Sequence, residues 1–455
     1  MAGVVLMGCG SSPRATSGSG GNSSSKGGTG AGIGGGAGGV AGSGGKGGAA
    51  GSAGKAGKAG AGGSSPHDGG LDRAATDSGR RDGGAPVDGS PGDAPDAYIL
   101  TDGGPWGVPK RVHQTCVPPA GFDQPVTQLS ATGCVDPNNP TQPAPSMIPY
   151  EVNSPLWSDG AAKQRFMAIP DDALISVKDC TRDPGACAPL ADGGTTQPEG
   201  HWSLPVGSVL MKNFLFGGKL LETRLFMSYP GMWIGYSYQW NADQTDATIV
   251  DQDGLTTTIQ NGDGGTQSWY FPSRNDCFQC HNATFGNSLG TETRQLNRTI
   301  TYPNGVTANQ IDTFEHLGMF DEPIPPLAPL ADYTATTSTA SLATKAESYL
   351  HANCAICHLP GGTFDSIDFR YGTSLAMMNV CNVAPEKGNE GVTGAERFYP
   401  GSPQKSVIVL RMQTPRTAPA GTNDDIRMPP LATSVLDENG IGIISQWISG
   451  TKTCP

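Results

Sequence analysis

The chain has no run of about 18 apolar residues, the length that a membrane-spanning helix requires. We therefore expect no segment that crosses a bilayer. Basic residues are also scarce: 29 Lys and Arg stand against 41 Asp and Glu, which gives a formal net charge of −12. This balance argues against a nucleic-acid partner, because phosphate binding needs a basic surface.

Large apolar side chains are almost missing from the first hundred residues. Residues 10–105 are mainly Gly, Ser, Ala and Asp, with stretches such as "GAGIGGGAGGVAGSGGKGG". Such a composition cannot bury enough surface to offset the conformational entropy of the chain. We predict that residues 10–105 form a long disordered tether.

The residues before this tether resemble a lipoprotein signal. The text "VVLMGCG" ends in a lipobox-like Leu-Met-Gly-Cys, and Cys9 would be the acylated residue. The segment is short and lacks a basic start, unlike a complete signal. We interpret residues 1–9 as a signal remnant and expect an exported protein that a lipid on Cys9 anchors on the periplasmic side, at the outer membrane.

Histidine is rare, with 7 residues among 455, yet two histidines complete the same motif. "CFQCH" ends at His281 and "CAICH" ends at His358. With 11 cysteines in the chain, roughly 0.004 accidental C-x-x-C-H matches are expected. This motif is the attachment signature of c-type haem, in which the two thiols bind the porphyrin vinyl groups and the histidine is the proximal iron ligand. We predict two covalent haem c groups, one on Cys277, Cys280 and His281 and one on Cys354, Cys357 and His358.

Two other uses of paired cysteines fit less well. A zinc site would join Cys277/Cys280 to Cys354/Cys357, but these pairs are too far apart for a zinc ribbon, and both histidines would have no role. A thioredoxin-like pair requires a βαβ context, which neither copy has.

Six cysteines remain after Cys9 and the four motif cysteines. An even remainder in an exported chain predicts disulfides. The simplest pairs are Cys116 with Cys134, Cys180 with Cys187, and Cys381 with Cys454.

The hydrophobic pattern predicts an α+β protein. Residues 207–240 read as three strands with turns at Gly217-Gly218 and at Pro230-Gly231, within a β-rich domain at 106–275. Helical periodicity follows in "SLATKAESYLHANCAICH", with a cap at Ser341, and in "LDENGIGIISQWISG". We assign 276–335 to the first haem and 336–455 to a mainly α-helical domain with the second. A helix that ends in C-x-x-C-H, paired with a C-terminal helix, resembles a class I cytochrome c domain.

A sixth ligand for each iron decides whether the haem is saturated. For the second haem we predict Met428, because it precedes two prolines on a stiff loop before the last helix. Met377, Met378 and Met412 compete without sharing that position. For the first haem we place His316 ahead of Met319, and His201, His351 and Met232 stay open.

Several stretches in order resemble a family of exported di-haem c-type cytochromes of uncharacterised role. They are "PYEVNSPLWSDGAAKQRF", "LPVGSVLMKNF", "ETRLF", "WYFPSRNDCFQCH", "TRQLNR" and "RMPPLATS", within residues 115–455. The resemblance implies a β domain fused to a two-haem region, export, and electron transfer. It also favours His316 over Met319.

We therefore expect a membrane-anchored electron carrier that works with a redox partner protein and is not itself an enzyme. The alternative is a di-haem redox enzyme, such as a peroxidase or an oxidase of a small substrate, with the β domain as substrate module. The loop "SPLWSDGA" with Trp157 and Asp159 favours the alternative, although Asp159-Gly160 also reads as an ordinary turn.

Overall fold

The computed structural model describes residues 105–184, 198–261, 264–414, 427–431 and 433–455. Contacts divide the chain into Met1–Gly89 and Ser90–Pro455, and every described residue belongs to the second, compact unit. The predicted tether at 10–105 lies outside the described residues except for its last residue. Cys9 and Cys187 also lie outside them. The fold is α+β, as the sequence pattern predicts.

A six-stranded antiparallel sheet forms the centre of the fold. Its strands lie side by side in chain order, so that the sheet is a meander. They are β1 (Ile148–Tyr150), β2 (Ala162–Ala168), β3 (Val209–Phe216), β4 (Lys219–Tyr229), β5 (Met232–Trp240) and β6 (Ala247–Ile249).

The two predicted hairpin turns join β3 to β4 and β4 to β5. Gly217, Gly218 and Gly231 all have positive φ angles, of 54°, 77° and 76°, which a residue without a Cβ adopts at no steric cost. Four two-stranded ribbons accompany the sheet: Val135–Asp136 with Asn139–Pro143, Ser176–Val177 with Trp202–Ser203, Leu255–Gln260 with Thr266–Phe271, and Thr299–Thr301 with Thr307–Asn309.

The two faces of the sheet have different surroundings. On one face, alternate residues such as Met211, Leu225 and Ile234 pack into a core that also holds Leu129 and Val135. The segment that covers this face is closed by the disulfide between Cys116 and Cys134. The other face presents a mixture of apolar and basic side chains to the helical part of the chain.

The described helices all follow the sheet in the chain. They are α1 (Arg274–Cys280), α2 (Thr293–Leu296), α3 (Gln310–His316), α4 (Leu342–Asn353), α5 (Val407–Gln413) and α6 (Glu438–Gly450). Short 3₁₀ turns are Leu129–Ala131, Ala283–Phe285 and Pro403–Lys405. None of the helices in the described part of the chain is long and apolar enough to cross a membrane.

Helices α4 and α6 form where the sequence predicts them and pack on each other. The Ser341 side chain accepts a hydrogen bond from the Thr344 backbone N–H and caps α4. The crossing is close at Gly440, since a Cβ there would lie 2.3 Å from the Tyr349 ring. Leu342, which the periodicity places on the buried face, is 37 % exposed because it stands in the first turn.

The prediction that 336–455 is mainly helical was wrong. Between α4 and α5, residues 354–402 form turns and loops without a helix. The cause is local: Asn379, Asn382 and Glu390 have positive φ angles, as do several glycines, and proline and glycine recur throughout. A core around α4 and α6, with Phe398 and Met412, holds these loops in place.

The structure pairs Cys381 with Cys454, as it pairs Cys116 with Cys134, in the combinations that the spacing favours. Cys180 is also disulfide-bonded. Among the described cysteines only four are free, and they are the cysteines of the two C-x-x-C-H motifs: Cys277, Cys280, Cys354 and Cys357.

Candidate cofactor cavity

Both C-x-x-C-H motifs line one large cavity between the sheet and the helices. Its empty space is about 2000 Å³, part of which is open to solvent. All six motif residues line it, and the sheet contributes Lys212, Arg224 and Phe226. Motifs that are separated by 77 residues from Cys277 to Cys354 are thus brought to one site by the packing of α1 against the segment that follows α4. We call this space the cofactor cavity.

The first motif is held on α1 by a capping box. The Ser273 side chain accepts from the Asp276 backbone N–H, and the Asp276 carboxylate accepts from the Ser273 backbone N–H. The strand β5 passes directly against this helix at Gly235, where a Cβ would lie 2.5 Å from the Cys277 sulfur. Gly235 is therefore a position where a larger residue would push the first cysteine out of place.

The second motif follows the C-terminal end of α4. The backbone N–H of Cys354 bonds to the Leu350 carbonyl, and that of His358 bonds to the Cys354 carbonyl, so that the motif continues the helix as a tight turn. The His358 ring lies between aromatic rings, stacked on Phe364 at 5.3 Å and edge-on to Phe369 at 5.5 Å.

The two motifs also touch each other. The Cys357 thiol lies 3.8 Å from the Gln279 carbonyl oxygen, to which it donates. Just beyond the first motif, the Asn282 amide donates to the Ile356 carbonyl at 3.5 Å. The Thr284 hydroxyl donates to the Gly361 carbonyl at 3.2 Å. Groups attached to the two motifs would thus be neighbours.

Burial keeps the motif side chains neutral. It raises the pKa of Cys277 and Cys357 to about 11 and that of Cys280 and Cys354 to about 12. A thiol–disulfide catalyst needs a thiolate with a lowered pKa, which these sites do not provide. Burial likewise lowers the pKa of His281 to about 3 and that of His358 to about 4, so that both imidazoles keep the lone pair that a metal requires.

The hydrogen bond of His281 defines which nitrogen is available. Its Nδ1 lies 2.7 Å from the Asn287 carbonyl oxygen, an acceptor, so that Nδ1 carries the proton. Nε2 then carries the lone pair that can bind a metal. A carbonyl that accepts a hydrogen bond from the other ring nitrogen is a usual means by which proteins orient a metal-binding histidine.

The predicted ligand Met428 lines the same cavity, together with Pro429 and Pro430. Two contacts hold its loop. The Met428 backbone N–H bonds to the Arg411 carbonyl on α5 at 3.3 Å, and the Thr433 hydroxyl donates to the Pro429 carbonyl at 2.7 Å. Met412 also lines the cavity, whereas Met377 is 72 % exposed.

The loop "SPLWSDGA" reaches the cavity, which the sequence left open. Leu156, Trp157 and Ser158 are lining residues. The Trp157 backbone N–H donates to the Asn353 side chain at 2.7 Å, and its indole N–H donates to the Val435 carbonyl at 3.1 Å. Asp159, at φ 49°, accepts from the Val435 backbone N–H at 2.8 Å. The loop therefore ties α4 to the segment that follows Met428.

The structure does not bring His316 to the cavity. Its ring stacks on Trp106 at 4.6 Å, and its Nε2 lies 3.1 Å from the Pro109 carbonyl oxygen. Met319, the alternative, is fully buried in the core around Trp202 and Phe314 and does not line the cavity. The local helix that carries His316 was predictable, but its distance from the first motif depends on how α3 packs.

The other residues that stayed open as ligands are placed elsewhere too. The His201 Nε2 lies 3.1 Å from the Gly286 carbonyl oxygen, and His351 is paired with Glu292. Met232 is 44 % exposed on β5. Among the described lining residues, the histidines and methionines are His281, His358, Met412 and Met428.

The cavity suits a large and mainly apolar group that carries negative charge. Its wall combines the apolar side chains of Phe226, Leu289 and Ile367 with the basic side chains of Lys212, Arg224, Lys387, Arg397 and Arg411. Three of these pair with carboxylates: Arg224 with Glu222, Arg397 with Glu386 and Arg411 with Glu390. A haem has this chemistry, with an apolar ring and two carboxylates. The described residues contain no cluster of three or more His, Cys, Asp and Glu side chains that could hold a metal ion. A haem iron needs no such cluster, because the porphyrin supplies four ligands.

No family model matches this chain, and no curated protein or solved structure matches it either.

Proposed function

We propose that the protein is a di-haem c-type cytochrome that transfers electrons. The observation that carries the proposal is the meeting of two C-x-x-C-H motifs in one cavity, with their four cysteines free while the other described cysteines form disulfides. A pair of motifs could occur in a chain for several reasons. Their convergence on a cavity with apolar walls and basic side chains favours haem attachment.

In this proposal Cys277, Cys280, Cys354 and Cys357 form the covalent links, and His281 and His358 are the proximal ligands. Haem supplies reversible one-electron chemistry when it is bound. The residues of the chain hold it: the Asn287 carbonyl orients His281, and Phe364 and Phe369 confine the His358 ring. Met428 is the proposed sixth ligand on the second haem, where a thioether raises the reduction potential.

The cytochrome c-like character of residues 336–455 belongs to the same proposal. Helix α4 leads into the second motif. Helix α6 packs on α4 at Gly440, and the Met428 loop precedes α6. This order of helix, motif, methionine loop and helix is the arrangement that supports the resemblance.

One observation favours the alternative, a di-haem redox enzyme. His281 and His358 take one face of each iron, and the other histidines and methionines among the described lining residues are only Met412 and Met428. If Met428 binds the second haem, Met412 is the only one of these four side chains left for the first. An iron with an open position can bind a small substrate, whereas a carrier needs saturated irons.

Carbon monoxide distinguishes the two functions. We expect the dithionite-reduced protein to bind carbon monoxide at no more than one haem, because Met428 blocks the second. The measurement is the change in the Soret band per haem during a titration. Binding at neither haem would favour the carrier, and binding at the first haem alone would favour the enzyme with that haem as its open site. Ready binding at both haems would reject the carrier and Met428 as a ligand.

We further propose that the protein is exported and anchored by a lipid on Cys9, so that its redox partner is a protein on the periplasmic side. The lipobox-like text and the Gly-rich stretch behind it support this. We expect Cys9→Ala in the full-length precursor to release most of the protein from sedimented membranes, since a lipid chain contributes about 0.8 kcal/mol per buried CH₂. Cys9→Ala and the unchanged protein are compared by fractionation, with Ser12→Ala as control, and equal membrane association of both would contradict the anchor.

A further inference from the structure

A second, smaller pocket lies beside the cofactor cavity, with an empty space of about 450 Å³. It shares four lining residues with that cavity: Leu156, Lys212, Leu289 and Ile356. Ile356 stands inside the second C-x-x-C-H motif. A ligand in this pocket would therefore lie next to a group attached to Cys354 and Cys357.

Three basic residues lie side by side on neighbouring strands of the sheet, beside the smaller pocket. Arg165 on β2 is the direct register partner of Lys212 on β3, which is in turn the partner of Arg224 on β4. Like charges that are directly opposite on neighbouring strands repel each other. The row thus places three positive charges on one face of the sheet.

Only one member of the row has an acidic partner. Arg224 forms an ion pair with the buried carboxylate of Glu222, with Nε 2.6 Å from the nearer oxygen. Arg165 and Lys212 make no side-chain hydrogen bond or ion pair with any described residue, and both line the smaller pocket. Burial, with Arg165 and Arg224 nearby, lowers the pKa of Lys212 to about 7. The folded chain thus keeps two basic side chains here without a direct ion-pair partner among the described residues.

The same pocket is also lined by Glu292, one oxygen of which has no hydrogen-bond partner. The backbone N–H of Tyr371 donates to His351 Nδ1 at 3.0 Å, so that the proton of the neutral ring is on Nε2, which donates to Glu292 Oε1 at 2.8 Å. The other carboxylate oxygen, Oε2, is buried without a hydrogen-bond partner in the described structure, and Glu292 is 2 % exposed. Buried polar atoms in folded proteins almost always have a partner.

We propose that Arg165 and Lys212 form a carboxylate-binding site in this pocket. The carboxylate offsets the repulsion within the row and gives both cations charge-assisted hydrogen bonds. It has two sources of the same chemistry. One is a small free carboxylate, whose hydroxyl group would donate to Glu292 Oε2. The other is a propionate of an attached haem, and this source rests on the proposed function.

Glycolate is the probe for the first source, and acetate is its counterpart without a hydroxyl group. In calorimetric titrations of the protein with two haems, we expect glycolate to bind about tenfold more tightly than acetate. Arg165→Gln should weaken glycolate binding at least tenfold, Arg165→Lys should restore most of it, and Lys219→Gln, which removes an exposed lysine on β4, should leave it within twofold.

The potentials of the haems identify the second source. If glycolate does not bind but Arg165→Gln lowers the midpoint potential of one haem, while Lys219→Gln leaves both potentials unchanged, the carboxylate is a propionate. Lys212→Gln repeats the test on the second cation and decides the result if Arg165→Gln does not fold. The site is rejected if glycolate does not bind and neither variant alters a potential. Intact mass reports separately whether the haems are present, so that a failure of the proposed function is recognised as such.

Discussion

Serine at both Cys354 and Cys357 should remove one of two covalent haems and leave the other in place. In the protein matured in a host that attaches haem c, intact mass should show two haem additions before the change and one after it. The reason is the thioether link: serine cannot form it, and the second motif has no other free thiol among the described residues with which to replace it. The same change at Cys277 and Cys280 should remove the other haem.

The matched control removes two cysteines without touching either motif. Cys381→Ser with Cys454→Ser breaks the disulfide that joins a loop to the C-terminus and keeps all six motif residues. It should retain two haem additions, although removing a disulfide typically costs about 2–5 kcal/mol of stability. The di-haem proposal is wrong if the unchanged protein carries fewer than two haems. It is also wrong if the motif variants and the control lose haem alike.

Met428→Ala should open the second haem to carbon monoxide and abolish the weak near-infrared band of a sulfur–iron bond in the oxidised protein. Met428 lies on the cavity wall with Pro429 and Pro430, on a loop that is bonded to α5 through the Arg411 carbonyl. Alanine keeps the loop backbone and removes the thioether. The reduction potential of that haem should fall, because a thioether ligand raises it.

Two other methionines make the Met428 experiment selective. Met377→Ala changes an exposed side chain and should alter neither the band nor carbon monoxide binding. Met412→Ala removes the other methionine that lines the cavity, where it is buried in the α4–α6 core, and should lower stability by about 2–5 kcal/mol while the band remains. If the band survives Met428→Ala and disappears in Met412→Ala, Met412 is the ligand.

The loop that contains Trp157 and Asp159 also borders the proposed carboxylate site. Leu156 belongs both to the loop that contains Trp157 and Asp159 and to the wall of the smaller pocket. Through Val435, the same loop is bonded to the segment behind Met428. The same loop therefore contacts both the smaller pocket and the segment that follows Met428.

The local features of this chain were readable from its residues. The C-x-x-C-H spacing, which covalent attachment of haem would require, identified both motifs without any knowledge of the fold. Period-2 patterns and turn residues predicted β3, β4 and β5, although much of each strand is buried on both faces in the structure. Period-3.6 patterns predicted α4 and α6. Glycine at the two hairpins and serine at the start of α4 have local steric and hydrogen-bonding causes.

Tertiary structure alone decided which distant residues meet. Sequence periodicity says which face of α3 is buried but not where α3 packs, so the position of the His316 ring against Trp106 was not predictable. The same limit applies to the row of Arg165, Lys212 and Arg224, since register across three strands depends on the whole sheet. The contact between the two C-x-x-C-H motifs arises in the same way. The spacing within each motif is a local property of the sequence, whereas the contact of α1 with the segment after α4 results from the packing of the described fold.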